Sequence, residues 1–106
     1  MEYLNAHGTE YPAQFGEKQI DRDWDGRASY AVTLSMPYAE AAQLFVDGLV
    51  WSIVRRENGG TAQERDCSDY CVAGAITDHR DGTLTCKMGK YTQLEQALRE
   101  LEEALG

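Results

Sequence analysis

The densest group of metal-seeking side chains in the sequence is Asp21-Arg22-Asp23-Trp24-Asp25-Gly26. Alternate carboxylates followed by a glycine match the first half of a calcium loop, in which carboxylate oxygens converge on a hard cation and the glycine permits a sharp turn. The second half departs from that pattern. Position twelve of such a loop is Val32, where a bidentate glutamate belongs, and Val32 lies inside an alternating apolar run. Asp21, Asp23 and Asp25 are therefore candidate calcium ligands, set against a plainer reading as an acidic hairpin turn whose aspartates accept local N–H bonds.

Cys67, Cys71, His79 and Cys86 could be grouped as a zinc set. If residues 70–76 and 83–89 pair as a hairpin, Cys71 and His79 stand roughly 25 Å apart at about 3.3 Å per residue. One tetrahedral ion, with ligands at about 2.3 Å, cannot hold both. These cysteines read instead as buried or idle thiols, with a Cys67–Cys71 disulfide sterically open. His7 and His79 are the only histidines, and no arrangement around them frames a nucleophile. No catalytic residue and no cofactor follow from the sequence, and the expectation is a non-enzymatic chain.

The elements that would carry these groups are clearer than the groups themselves. Ala28, Tyr30, Val32, Leu34 and Met36 alternate with smaller or polar residues, the period of a strand with one buried face. Pro37 stops that ladder and suits a first helical turn, so a helix is predicted over 38–47 with Gly48 as its stop. Residues 49–56 are apolar on both alternating sets, which predicts a strand covered on both faces. The stretch 57–69, rich in Gly, Asn and charge, reads as an exposed loop, and 70–76 with 83–89 as a hairpin in which Val72, Gly74 and Ile76 share a face with Leu84, Cys86 and Met88. Thr92 with Glu95 forms a capping box, and Tyr91, Leu94, Leu98, Leu101 and Leu105 recur at helical spacing. With residues 1–16 read as an irregular arm and a short strand over 17–21, the prediction is one α+β domain over 17–106. Its order is β-β-α-β-β-β-α, with two helices and a mixed or mainly antiparallel sheet of four to five strands.

The net charge of −8 is unevenly distributed. Residues 91–106 carry four glutamates against Arg99, and residues 57–70 carry Glu57, Glu64, Asp66 and Asp69 against Arg65. Phosphate neutralisation needs clustered Lys and Arg, so direct binding to nucleic acid or an anionic membrane is disfavoured, and a basic protein partner is favoured. The candidate contacts are Trp24, an aromatic among three aspartates, and the acids Glu64, Asp66, Asp69, Glu95, Glu100, Glu102 and Glu103. No apolar run reaches the roughly 18 residues of a membrane span, the first residues lack a signal peptide's basic and apolar regions, and the cysteine count is odd. A cytoplasmic location is expected.

The runs WSIVRRE at 51–57 and YCVAGAITDHRDGTLTCKMGK at 70–90 resemble short uncharacterised proteins encoded by phages and prophages of gut bacteria. The resemblance implies only a context, a small intracellular protein of a mobile element, more a binder or virion part than an enzyme. Three expectations follow: an acidic interaction module that covers a basic, nucleic-acid-binding surface of a partner as a DNA mimic does; a structural protein of a phage particle that self-associates; and a calcium-binding domain through the loop at 21–26.

Overall fold

The structure is a computed structural model that describes residues 1–57 and 60–106. Among the described residues seven strands form one antiparallel sheet: β1 (Glu2–Ala6), β2 (Thr9–Asp21), β3 (Arg27–Leu34), β4 (Trp51–Arg55), β5 (Gln63–Asp66), β6 (Val72–Asp78) and β7 (Leu84–Gly89). Their spatial order is β5-β4-β1-β2-β3-β7-β6. Two helices, α1 (Tyr38–Leu44) and α2 (Gln93–Leu105), complete an α+β domain. The strand count exceeds the expected four to five, for two reasons that the chain makes visible.

The first is the N-terminal stretch, which is no irregular arm. His7 and Gly8 both have positive φ, at 53° and 79°, and close a two-residue hairpin in which Ala6 faces Thr9. β1 then buries Leu4 and Ala6, while Tyr11, Ala13 and Phe15 of β2 pack partly against the core. Pro12 is the last residue of β2 paired with β1, and Ala13 is the first paired with β3. Its missing N–H falls at the seam between two ladders, where a strand tolerates it.

The second is β5, in the stretch expected to be loop. Asn58 and Gly59 lie outside the described residues, but Gln63–Asp66 pairs antiparallel with β4 as the sheet's edge. Its sequence, QERD, is wholly polar and exposed, as suits an edge that must not recruit another strand.

The sheet is coiled about β2. In a flat sheet β3 and β4, three strands apart, would lie about 14 Å apart at 4.7–4.9 Å per strand. The rings of Tyr30 (β3) and Trp51 (β4) instead meet edge to face at 5.7 Å. Phe15 stacks on Trp51 at 6.3 Å and Tyr70 meets Tyr30 at 4.7 Å. Trp51 is almost wholly buried, and its indole N–H donates to the Tyr70 carbonyl at 2.9 Å, so this large ring is satisfied as well as packed. Leu4, Val32, Leu34, Leu84, Cys86 and Met88 extend the same core, which Ala41 and Leu44 of α1, with Phe45 and Leu49, help to close.

α1 is shorter than predicted because Phe45 leaves helical geometry after its N–H bonds to the Ala41 carbonyl. Gly48, at φ 88°, serves the following turn, where its N–H reaches the Cys71 carbonyl. A bulge between Ala73 and Ile76 changes the β6 face: Ile76 stands opposite Cys86, as expected, but Ala73 rather than Gly74 stands opposite Met88. That shift turns Gly74 toward Trp24.

Candidate functional site

The aspartate turn is built to hold the fold. After β2 one turn of 3-10 helix, Arg22–Trp24, leads to Asp25 and Gly26 at φ 58° and 73°, the positive φ that an Asp-Gly pair accepts. Asp21, among the most buried side chains, accepts three bonds: the Asp23 N–H at 3.1 Å, the Ser29 hydroxyl at 3.0 Å and the Lys87 ammonium at 2.9 Å. The cation that Asp21 takes is thus a lysine of β7. Asp25 is largely exposed and leans toward Arg27 at 3.8 Å. Asp21, Asp23 and Asp25 do not converge, and among the described residues no three His, Cys, Asp or Glu side chains are placed to share a metal ion.

The Lys87 ammonium, helped by Ser29 and Asp23, holds the Asp21 carboxyl below the usual range despite its burial. Arg27 does the same for Glu95, Arg56 for Glu10, and Ser68 for Asp66. A carboxyl depressed in the folded state contributes stability above its unfolded pKa, about 4, and that contribution is lost as pH falls through the folded value. Stability is therefore expected to decline below about pH 4. Asp21→Asn, which leaves Lys87 facing an amide, should lower the melting temperature by several degrees at neutral pH and flatten that acid decline. Thermal melts at neutral and acid pH check both, and an unchanged acid slope would show that the Asp21–Lys87 pair is immaterial.

Trp24 is half-buried rather than set out as an exposed anchor. A Cβ placed on Gly74 would stand 2.7 Å from Trp24 Cη2, and one on Gly89 would stand 2.8 Å from Trp24 Cζ3 and 2.7 Å from Arg27 Cδ. The indole thus lies in a slot that only two glycines leave open, folded back onto the β6–β7 hairpin. Arg27, itself buried, sets its guanidinium 4.6 Å from the centre of that ring. The same guanidinium donates to the Lys90 carbonyl at 3.0 Å and to both carboxylate oxygens of Glu95 at 2.9 and 3.1 Å. Such a bidentate fork fixes direction as well as distance.

That fork positions α2. Thr92 Oγ1 accepts the Glu95 N–H, and Glu95 Oε1 accepts the Thr92 N–H, so the predicted capping box is present. Glu95 therefore serves two masters, the cap and Arg27, and is not available to a partner. Arg99 donates to the Tyr91 hydroxyl at 2.6 Å. Beyond this anchored first turn the helix is little covered: Leu94, Leu98, Leu101 and Leu105, which recur at helical spacing, are 70, 50, 55 and 82% exposed.

The remaining acids divide into two groups. Glu64 accepts the Ser52 hydroxyl at 2.8 Å, Asp66 accepts the Ser68 N–H at 3.0 Å, and Asp69 pairs with Lys90 at 3.1 Å. These three are engaged within the fold. Glu100, Glu102 and Glu103 are exposed on α2, and no ion pair among the described residues involves them.

A cleft of about 420 Å³ lies between the halves of the coiled sheet, lined in part by Phe15, Glu17, Tyr30, Ile53 and Arg65. Its polar groups satisfy one another: Tyr30 donates to Glu17 at 2.8 Å, and Arg65 reaches Glu17 at 3.4 Å. Burial, reinforced by that bond to Glu17, raises the Tyr30 phenol far above its ordinary value. All three cysteines are free thiols, so Cys67 and Cys71 are unbridged. Cys67 and Cys86 are each pushed up to about 11 by burial, which keeps them protonated and poor nucleophiles near neutrality. Among the described residues no helix is long and apolar enough to cross a membrane.

No protein-family model, no curated protein and no solved structure matches the chain.

Proposed function

We propose that this chain is a small acidic interaction module that engages a basic surface of a protein partner, with α2 as its contact element. The observation that carries this reading is the division among the acids. Of the candidate acids, Glu64, Asp66 and Asp69 are hydrogen-bonded or ion-paired within the fold, whereas Glu100, Glu102 and Glu103 form no ion pair among the described residues and stand on a helix held by a buried arginine fork. Rigid presentation matters, because an ordered helix loses little further entropy on binding. A surface of this kind can cover a nucleic-acid-binding face of a partner, since both ligands would meet the same Lys and Arg groups.

Affinity capture on immobilised protein tests the reading. A basic partner retained at low salt should elute as salt rises, because screening shortens the reach of exposed charges to about 8 Å at physiological ionic strength. The Glu100→Gln/Glu102→Gln/Glu103→Gln variant should retain much less of it. Retention that is equal in the variant and indifferent to salt would refute the electrostatic reading. The exposed leucines favour a second reading, a subunit of an assembly, which predicts salt-independent self-association.

A further inference from the structure

We infer that the leucine stripe of α2 is a docking face for a partner that presents an apolar groove with a Lys- or Arg-bearing rim. This rests on the reading of α2 as the contact element and assigns the face that does the work. Leu94, Leu98, Leu101 and Leu105 are separated by four, three and four residues, the a/d spacing of a helix that packs along a seam. The stripe runs about 16 Å at 1.5 Å per residue, and each of its leucines is at least half exposed. An amphipathic helix held off its own sheet in this way has the anchor pattern of a helix that lies in a groove.

The two flanks of the stripe are unlike. At 100° per residue, Ala97 and Ala104 border it on one side, and Glu95 and Glu102 border it on the other. The alanines let a neighbouring backbone approach closely. Of the two glutamates Glu95 is held by Arg27, which leaves Glu102 free to meet a cation on the groove's rim. Glu100 and Glu103 lie toward the back of the helix and add field rather than contact.

Charge decides against a second copy as the occupant. Residues Gln93–Leu105 carry Glu95, Glu100, Glu102 and Glu103 against Arg99 alone, and each chain carries −8. An antiparallel pair would set Glu95 and Glu102 of one helix near those of the other, and a parallel pair would bring two acidic bodies side by side. A groove with a basic rim meets the same stripe with attraction instead of repulsion.

A defined probe tests this: a synthetic helix three heptads long with Leu at a and d and Lys at e and g, and its counterpart with Glu at e and g. Calorimetry with the full chain should show one-to-one binding of the Lys peptide and none of the Glu peptide. Leu98→Ser/Leu101→Ser should weaken that binding about tenfold or more with the melting temperature unchanged, because both positions are exposed. Glu102→Lys should weaken the Lys peptide and admit the Glu peptide. If the leucine variant binds like the wild type while Glu100→Gln/Glu102→Gln/Glu103→Gln does not, the docking face is wrong and the acidic reading stands. If the leucine variant fails while the glutamine variant binds unchanged, the electrostatic reading falls. Equal binding of both peptides, or of neither, overturns the inference, as does sedimentation showing a wild-type dimer that the leucine variant abolishes.

Discussion

Gly89→Ala is expected to destabilise the domain by about 2–3 kcal/mol, enough to lower the melting temperature by roughly 10 °C or more. The added methyl carbon would lie 2.7 Å from Arg27 Cδ and 2.8 Å from Trp24 Cζ3, well inside contact distance. Neither neighbour can step aside freely. The Trp24 ring also sits where a Cβ on Gly74 would be, at 2.7 Å, and the far end of Arg27 is held by the Lys90 carbonyl and the Glu95 carboxylate. Moving either group loosens the fork that anchors α2. The cost should therefore shrink in a Trp24→Ala background, where half of the obstruction is gone, and a double-mutant cycle by urea denaturation would read the coupling directly. A loss below about 0.5 kcal/mol, the scale of an ordinary surface change, would mean that Trp24 does not occupy the slot.

The elements legible in the sequence are those whose signal is local. β3 shows its alternation within eight residues, the turn before it is marked by Asp25-Gly26, and Thr92 and Glu95 announce the start of α2 by their spacing. The N-terminal hairpin was hidden because its turn rests on a positive φ at His7, before Gly8, rather than on an Asn-Gly or Asp-Gly pair. Pro12 and Gly16, residue types that weaken a strand pattern, also lie inside what is one long strand. β5 has no apolar residue at all, so only its pairing with β4 reveals it.

The candidate site was less legible, because its partners are distant in sequence. Asp21 invited a metal, and nothing near it pointed to the ammonium of Lys87. Trp24 looked like an exposed anchor until Gly74 and Gly89 were seen to leave room for it. Helical periodicity showed that α2 has an apolar face and was silent on what covers it, since a stripe that packs on its own sheet and one that awaits a partner have the same period. Of the acids, only the structure separates Glu100, Glu102 and Glu103 from those already engaged.

At alkaline pH the core should fail cooperatively, at about pH 11. Cys67 and Cys86 are wholly buried, and burial pushes each thiol up to about 11 from an ordinary 9.0. Tyr30 and Tyr70 are raised as well, chiefly by burial. A group whose pKa is raised by folding contributes stability below its unfolded pKa and loses that contribution as pH climbs toward the folded value. Each thiol thus loses about 1.4 kcal/mol per pH unit above about pH 9, and the two together lose on the order of 5 kcal/mol by pH 11. The tyrosines begin to add to this above about pH 10. That sum rivals the 5–15 kcal/mol stability of an ordinary domain, so unfolding should precede ionisation of the buried groups rather than follow it. Circular dichroism and the phenolate absorbance contributed by the two buried tyrosines, Tyr30 and Tyr70, should therefore change together. At neutral pH a thiol reagent should modify Cys71, which is only half-buried, well before Cys67 and Cys86. Tyrosines that all titrate with the sheet signal intact, or three thiols that react at one rate, would contradict a core closed around Tyr30, Cys67 and Cys86. Cys86→Ala separates the thiol's titration from its packing: the lost sulfur lowers stability at neutral pH, while the steepness of the alkaline decline falls because one raised proton has been removed.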